Sequence, residues 1–167
     1  VDAGCDVIVD DIGWLLEPFF EDGVVASHIA DVIANNDVIY VSSAGNAGVS
    51  HYQGDYSDDG TDFHNKSFDL TLPQNGTATI ILQWDDKFGS SGNDYDLYLF
   101  DKDNGDVLAI SNNTQNGDDD PIEYFGFFNQ LSSTLNTTIK IKNYNNSASK
   151  TLELYLYPRN GVSISNS

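Results

Sequence analysis

The run Ser42-Ser43-Ala44-Gly45-Asn46 closes a β-branched stretch, Val38-Ile39-Tyr40-Val41, and sets a side-chain amide among small residues. An amide fixed at the end of a strand can donate a hydrogen bond to an oxygen on which negative charge builds during a reaction. Losing one such donor typically costs about 100–1,000-fold in rate. Ser42, Ser43, Ala44 and Gly45 carry little bulk, which would let a substrate strand lie close to the backbone. The same residues also suit a plain turn, because Gly and Asn tolerate turn dihedrals. A second set of residues is carboxylate-rich: Asp85 and Asp86 after one apolar run, Asp94 and Asp96 at the head of another, and Asn116, Asp118, Asp119 and Asp120 before a third. Calcium takes roughly six to eight hard oxygen ligands, so such loops suit it, with solvated acidic loops as the alternative. Side chains alternate along a strand, so Asp94 and Asp96 share a face and could converge on one ion. Asp101-Lys102-Asp103-Asn104-Gly105-Asp106 has the outline of a calcium loop but lacks the distal glutamate, and its Asn-Gly pair predicts a hairpin turn instead.

Two kinds of element must position these groups. Cys5-Asp6-Val7-Ile8-Val9 predicts a short core strand, and Val24, Val25, His28, Ile29, Val32 and Ile33 recur at helical spacing until Asn35-Asn36-Asp37 breaks the pattern. With the strand before Asn46 this makes strand, connection, helix, strand, the order of a parallel crossover unit. Beyond about Ser50 the chain becomes a series of short β-branched and aromatic runs separated by polar turns: Phe68–Leu72, Thr77–Trp84, Tyr95–Phe100, Val107–Ile110, Ile122–Phe128, Thr137–Tyr144 and Thr151–Tyr157. About seven such runs predict an antiparallel β-sandwich or jelly roll. The expected fold is therefore mainly β, with a short α/β segment in front.

The order strand, loop, helix, strand, Ala44-Gly45-Asn46 resembles the oxyanion-loop segment of subtilisin-like serine peptidases over Val1 to about Gly48. In that family the first strand leads into a segment like Asn-Met-Ser and then glycines; here it leads into Asp10-Asp11-Ile12-Gly13 and Trp14 to Gly23. The family's Asp-(Ser/Thr)-Gly, His-Gly-Thr and Gly-Thr-Ser contexts do not occur in this sequence. His28 falls on the helix and His51 and His64 in polar loops, so none is placed as a general base. The resemblance implies that the whole protein hydrolyses peptide bonds in a peptide or protein substrate with a Ser-His-Asp triad, that Asn46 stabilises the tetrahedral intermediate, and that this chain alone is inactive. The second region, through Asn93-Asp94-Tyr95-Asp96-Leu97-Tyr98-Leu99-Phe100-Asp101 and the closing Ile139–Tyr157 pattern, is similar to the pre-peptidase C-terminal domain, a small β-sandwich. The two resemblances together imply a partial catalytic domain over residues 1–50, an inserted sandwich over 51–160, and a linker over 161–167 that returns to the remainder of the catalytic domain.

Composition narrows the partners. A formal net charge of -19, with 26 acids against 7 bases, argues against binding nucleic acid or anionic lipid through charge. No apolar run is long enough to span a bilayer. Cys5 is the single cysteine, so no intrachain disulfide can form. Asn-x-Ser/Thr sequons at Asn65, Asn75, Asn112, Asn136 and Asn145 all fall in the β region and fit an extracellular or cell-envelope protein. Tyr95, Tyr98, Tyr124, Tyr144, Tyr155 and Tyr157 predict core and cross-strand packing; a sugar-binding platform on one sheet face is the alternative, and would make the chain a glycan- or cell-surface-binding module. A strand-helix-strand of this size cannot cover its own sheet. Val7, Ile8, Val9, Trp14, Phe19 and Phe20 are therefore expected to seek a partner surface, either the sandwich or a second copy of the chain in a homodimer.

Overall fold

The computed structural model describes residues 4–166 and divides into two units, Val1–Val49 and Ser50–Ser167. The chain is mainly β: a short α/β segment precedes an antiparallel β-sandwich.

In the first unit β1 (Val7–Asp10) and β2 (Ile39–Ser42) pair in parallel, with Val7 opposite Ile39 and Asp10 opposite Ser42. Their connection carries α1 (Val24–Asn35), as parallel pairing demands a crossover. The helix starts at Gly23 without a side-chain cap from that residue; instead the Glu17 carboxylate accepts the Val25 N–H at 3.2 Å. Gly23 has to be glycine, because a Cβ there would lie 2.2 Å from that carboxylate and 2.5 Å from the Pro18 ring. At the other end the Asn35 and Asn36 amides donate to the Asp31 and Val32 carbonyls at 2.8 and 2.9 Å, and the Val32 carbonyl is one of the four that the helix end leaves open. Cys5, expected within a core strand, is exposed and precedes β1, since pairing with β2 begins only at Val7. No residue of α1 is fully buried, and Val7, Val9, Ile39 and Val41 on one face of the sheet are 53%, 71%, 63% and 48% exposed.

The second unit has two antiparallel sheets. One has the order β3 (His51–Asp55), β10 (Thr151–Arg159), β5 (Thr77–Trp84), β8 (Ile122–Phe128). The other has the order β11 (Ser163–Asn166), β4 (Phe68–Leu72), β9 (Leu135–Tyr144), β6 (Asp94–Asp101), β7 (Val107–Ser111). Each strand turns alternate residues inward, so Leu70, Leu72, Ile80, Leu82, Trp84, Tyr95, Leu97, Leu99, Ile139, Ile141, Leu152, Leu154 and Leu156 form one core. All seven expected strands are present. The hairpin between β6 and β7 also forms, with Gly105 at φ +81 and the Asp101 and Asn104 carboxylate and amide oxygens accepting the Asp103 and Asp106 N–H groups. Its loop is longer than a two-residue turn, and the register shifts between Leu99 and Phe100.

Two strands lie outside the predicted set. β3 is polar, with only Tyr52 and Gly54 half-buried, and exists because β10 offers it a ladder edge. The linker expected over residues 161–167 gives way to β11, which pairs antiparallel with β4 from Ser163 opposite Thr71. Among the described residues no helix is long and apolar enough to cross a membrane.

Candidate functional site

The first site lies where β1 and β2 end. Because the strands are parallel and in register, Asp10 faces both Tyr40 and Ser42. Its carboxylate accepts hydrogen bonds from the Tyr40 hydroxyl and, at 2.7 Å, from the Ser42 hydroxyl, while its backbone carbonyl accepts the Ser43 N–H at 3.3 Å. Bonding to Tyr40 and then to Ser42 holds the Asp10 carboxyl below the usual range, and the same contact raises the Tyr40 phenol. Asp10 thus clamps the strand from which the Ser43–Asn46 loop departs. Ser43, Ala44, Gly45 and Asn46 are exposed, and Gly45 turns the loop at φ +71. Beside the clamp, Ile8, Ile12, Trp14, Val25, Ile29 and Val32 line an open apolar depression of about 510 Å³.

The carboxylates of the second unit do not act together. Asp86 accepts from the Asn93 amide at 2.8 Å and the Ser91 hydroxyl at 3.0 Å, and pairs with Lys150 at 2.7 Å. Burial pushes Asp86 up, but Lys150, Asn93 and Ser91 outweigh it and the carboxyl lies low. Asp85 accepts the Thr151 N–H at 3.0 Å, Asp120 the Gly89 N–H at 2.8 Å, and Asp118 is exposed. These four carboxylates are turn and strand fasteners or solvated. Asp94 and Asp96 differ. Both lie on the outer face of β6, each 5% exposed, and the Asp94 Oδ1 has no hydrogen-bond partner among the described residues. Burial first, and then the Asp96 charge, push Asp94 up to about 6; burial also raises Asp96, against the Tyr98 hydroxyl and Lys142. Among the described residues no three His, Cys, Asp or Glu side chains converge in a way that could hold a metal.

His28 is exposed on the helix. His51 is on β3 rather than in a loop, stacked on Tyr155 at 4.4 Å and bonded to Glu153 at 2.9 Å. His64 is buried: its Nδ1 accepts the Ser57 N–H at 3.1 Å, so Nε2 carries the proton toward the Tyr52 oxygen at 3.0 Å, and burial depresses its basicity. The six tyrosines do not form one platform. Tyr95 is in the core, Tyr98 and Tyr144 belong to the outer face of the five-stranded sheet, and Tyr124, Tyr155 and Tyr157 to that of the other. Tyr155 and Tyr157 stack on each other at 6.0 Å and 14°, so their ring faces meet each other.

Two functional-looking groups escaped the sequence reading. One is Asp10, whose role needs the β1–β2 register. The other is Glu123, fully buried and accepting from the Ser111 hydroxyl, the Gln115 amide at 3.0 Å and the Asn113 amide at 3.2 Å; burial nonetheless raises it. Strand alternation offered the signal, since Glu123 shares its face with Phe125 and Phe127. No protein-family model matches this sequence, and no curated protein compared with it matches either.

Proposed function

We propose that the chain is part of a secreted or cell-surface subtilisin-like serine endopeptidase, in which Asn46 is the oxyanion donor and the β-sandwich is an inserted accessory domain. The observation that carries this reading is the parallel β1–α1–β2 crossover that delivers the Ser43–Asn46 loop from the end of β2, with the Asp10 carboxylate fastening the exit. The apolar faces support it as well: two strands with Val7, Val9, Ile39 and Val41 exposed have the composition of an interior parallel sheet, which is normally covered on both sides. In such an enzyme the substrate would run along Ser42, Ser43, Ala44 and Gly45, and Asn46 would donate to the oxyanion of the tetrahedral intermediate. Asp10 would be a positioning residue.

The test has two arms. This chain alone stays unlabelled by a fluorophosphonate probe, because an oxyanion donor cannot generate a nucleophile. In the longer polypeptide that contains it, Asn46→Ala lowers kcat about 100–1,000-fold with KM little changed. Labelling of the chain alone, or an unaltered kcat, overturns the reading.

Calcium belongs to the same reading at Asp94 and Asp96, and not at Asp85, Asp86, Asp118 or Asp120. What supports it is the unpartnered, buried Asp94 Oδ1 beside a second carboxylate; backbone carbonyls and water would complete the shell. Calcium at a hundred times its Kd stabilises the folded state by about 2.7 kcal/mol. Calcium should therefore raise Tm, and Asp94→Ala with Asp96→Ala should abolish the rise. An equal rise with magnesium would reduce the effect to charge screening.

A further inference from the structure

The outer face of the five-stranded sheet carries an aromatic stack that ends in a hollow. Tyr98 and Phe100, two residues apart on β6, stack at 5.6 Å with 12° between their planes. Phe63, from the loop before β4, stands edge-on to both, at 75° and 73°. Next to the stack is an open hollow of about 450 Å³ lined by Phe63, Phe100, Asp101, Lys102, Gly105, Thr138 and Lys140. Phe63 and Phe100 supply the aromatic part of that lining, and Tyr98 lies outside it. Thr138 lies directly across from Phe100 in the β6–β9 register, and its buried Oγ1 has no hydrogen-bond partner among the described residues. The size, the apolar wall and the few polar groups are those of a small-ligand site.

Charge decides the class of ligand. Lys102 and Lys140 bring two ammoniums; Lys102 is paired with Asp69 at 2.5 Å and Lys140 lies over the Phe63 ring, 5.4 Å from its centroid. Asp69 and Asp101 cancel the two cations, and the chain as a whole carries -19. An anionic ligand would therefore meet a balanced site inside a repelling field. A neutral ring with many hydroxyls fits better: its C–H face can lie on Phe100, where the ring quadrupole is negative, while an ammonium keeps donors to spare after one ion pair and Asp101 offers acceptor oxygens.

We propose that this hollow binds a neutral pyranose of a polysaccharide, stacked on Phe100 and held at its rim by Lys102, Lys140 and Asp101. The site lies on the sheet face opposite to Tyr124, Tyr155 and Tyr157, and it does not depend on any peptidase role of the first unit.

The test is a 15N–1H NMR titration of the chain with maltohexaose, cellohexaose, chitohexaose and mannohexaose, and with a polygalacturonate hexamer as the acidic arm. The expected result is a saturable shift at Phe100, Lys102, Gly105, Thr138 and Lys140 with at least one neutral sugar. Phe100→Leu, which keeps an apolar residue there, should weaken it about tenfold. Lys140→Gln, which removes a rim ammonium and its contact with the Phe63 ring but leaves Phe100 in place, should weaken it roughly three- to tenfold, and serves if the first variant fails to fold. The proposal is overturned if no neutral sugar shifts these residues by about 20 mM, if only the uronate binds, if shifts map to Tyr124, Tyr155 and Tyr157, or if the folded variants bind as the parent does.

Discussion

The two units bury apolar residues by different means. In the sandwich, two sheets face each other and their inward residues pack into one core, so Trp84, Tyr95, Leu97 and Ile139 are fully buried. In the first unit, two strands and one helix form a single layer contact. Ile8, Val25, Ile29 and Val32 are half-covered on the helix side, while Val7, Val9, Ile39 and Val41 on the other side are open. β1 and β2 are rich in β-branched and aromatic residues, as core strands of the sandwich such as β5 are. The difference is the number of layers, and it teaches that strand composition reports what a strand needs rather than what it has.

The largest effect should come from separating the units. A polypeptide of residues 50–167 should melt cooperatively as a monomer, because its strands close a core alone. Residues 1–49 alone should be disordered or self-associate, and circular dichroism with light scattering would show which. A monomeric, cooperatively melting first unit would break the comparison, since its core would then be complete.

Single substitutions sharpen it. Leu97→Ala, in a fully buried position, should destabilise the sandwich by about 2–5 kcal/mol in denaturant unfolding, through lost transfer energy and a cavity. Val9→Ala, 71% exposed, should change stability by less than about 0.5 kcal/mol. Equal costs at both positions would mean that the first unit is packed more tightly than its exposures indicate.

A smaller effect should follow pH. Asp94 is raised from 3.8 to about 6 in the folded chain. Below 3.8 both states are protonated and nothing is lost. Between 3.8 and about 6 the unfolded chain ionises first, so stability falls as pH rises, and the loss is complete above the folded value. Asp94→Asn removes this dependence. Measured with a chelator present, its stability relative to the parent should therefore be higher at pH 7 than at pH 4, on the order of 1 kcal/mol after screening by solvent. A constant difference across that range would show that Asp94 is not desolvated.

The smallest effect concerns Asn46. Its side chain is exposed, so Asn46→Ala should leave the melting of this chain within about 0.5 kcal/mol of the parent. A larger loss would make Asn46 a structural turn residue and remove the reason to assign it chemistry.

Much of this was legible before any coordinates. Thr77–Trp84 and Ile122–Phe128 match their observed strands residue for residue, and the helix stops at Asn35 where two asparagines interrupt its apolar repeat. These are local patterns, in which each residue's polarity reports which side of its own element is covered. His51–Asp55 was not legible, because a polar edge strand gets its ladder from β10, about a hundred positions away in the chain. Nor was the sorting of the aspartates. Asp86 and Asp94 look alike in sequence, yet one meets Lys150 and Asn93 and the other keeps an oxygen without a partner among the described residues.

The sequence by itself determined the alternating strands, the crossover order and the acidic surface, since periodicity and charge need no knowledge of neighbours. The tertiary structure alone decided which carboxylates are buried, which tyrosines share a face, that Glu123 sits in the core and that Asp10 fastens the Asn46 loop. Each of these depends on the register between segments distant in the chain, and a one-residue slip in that register would exchange the inside of a strand for its outside.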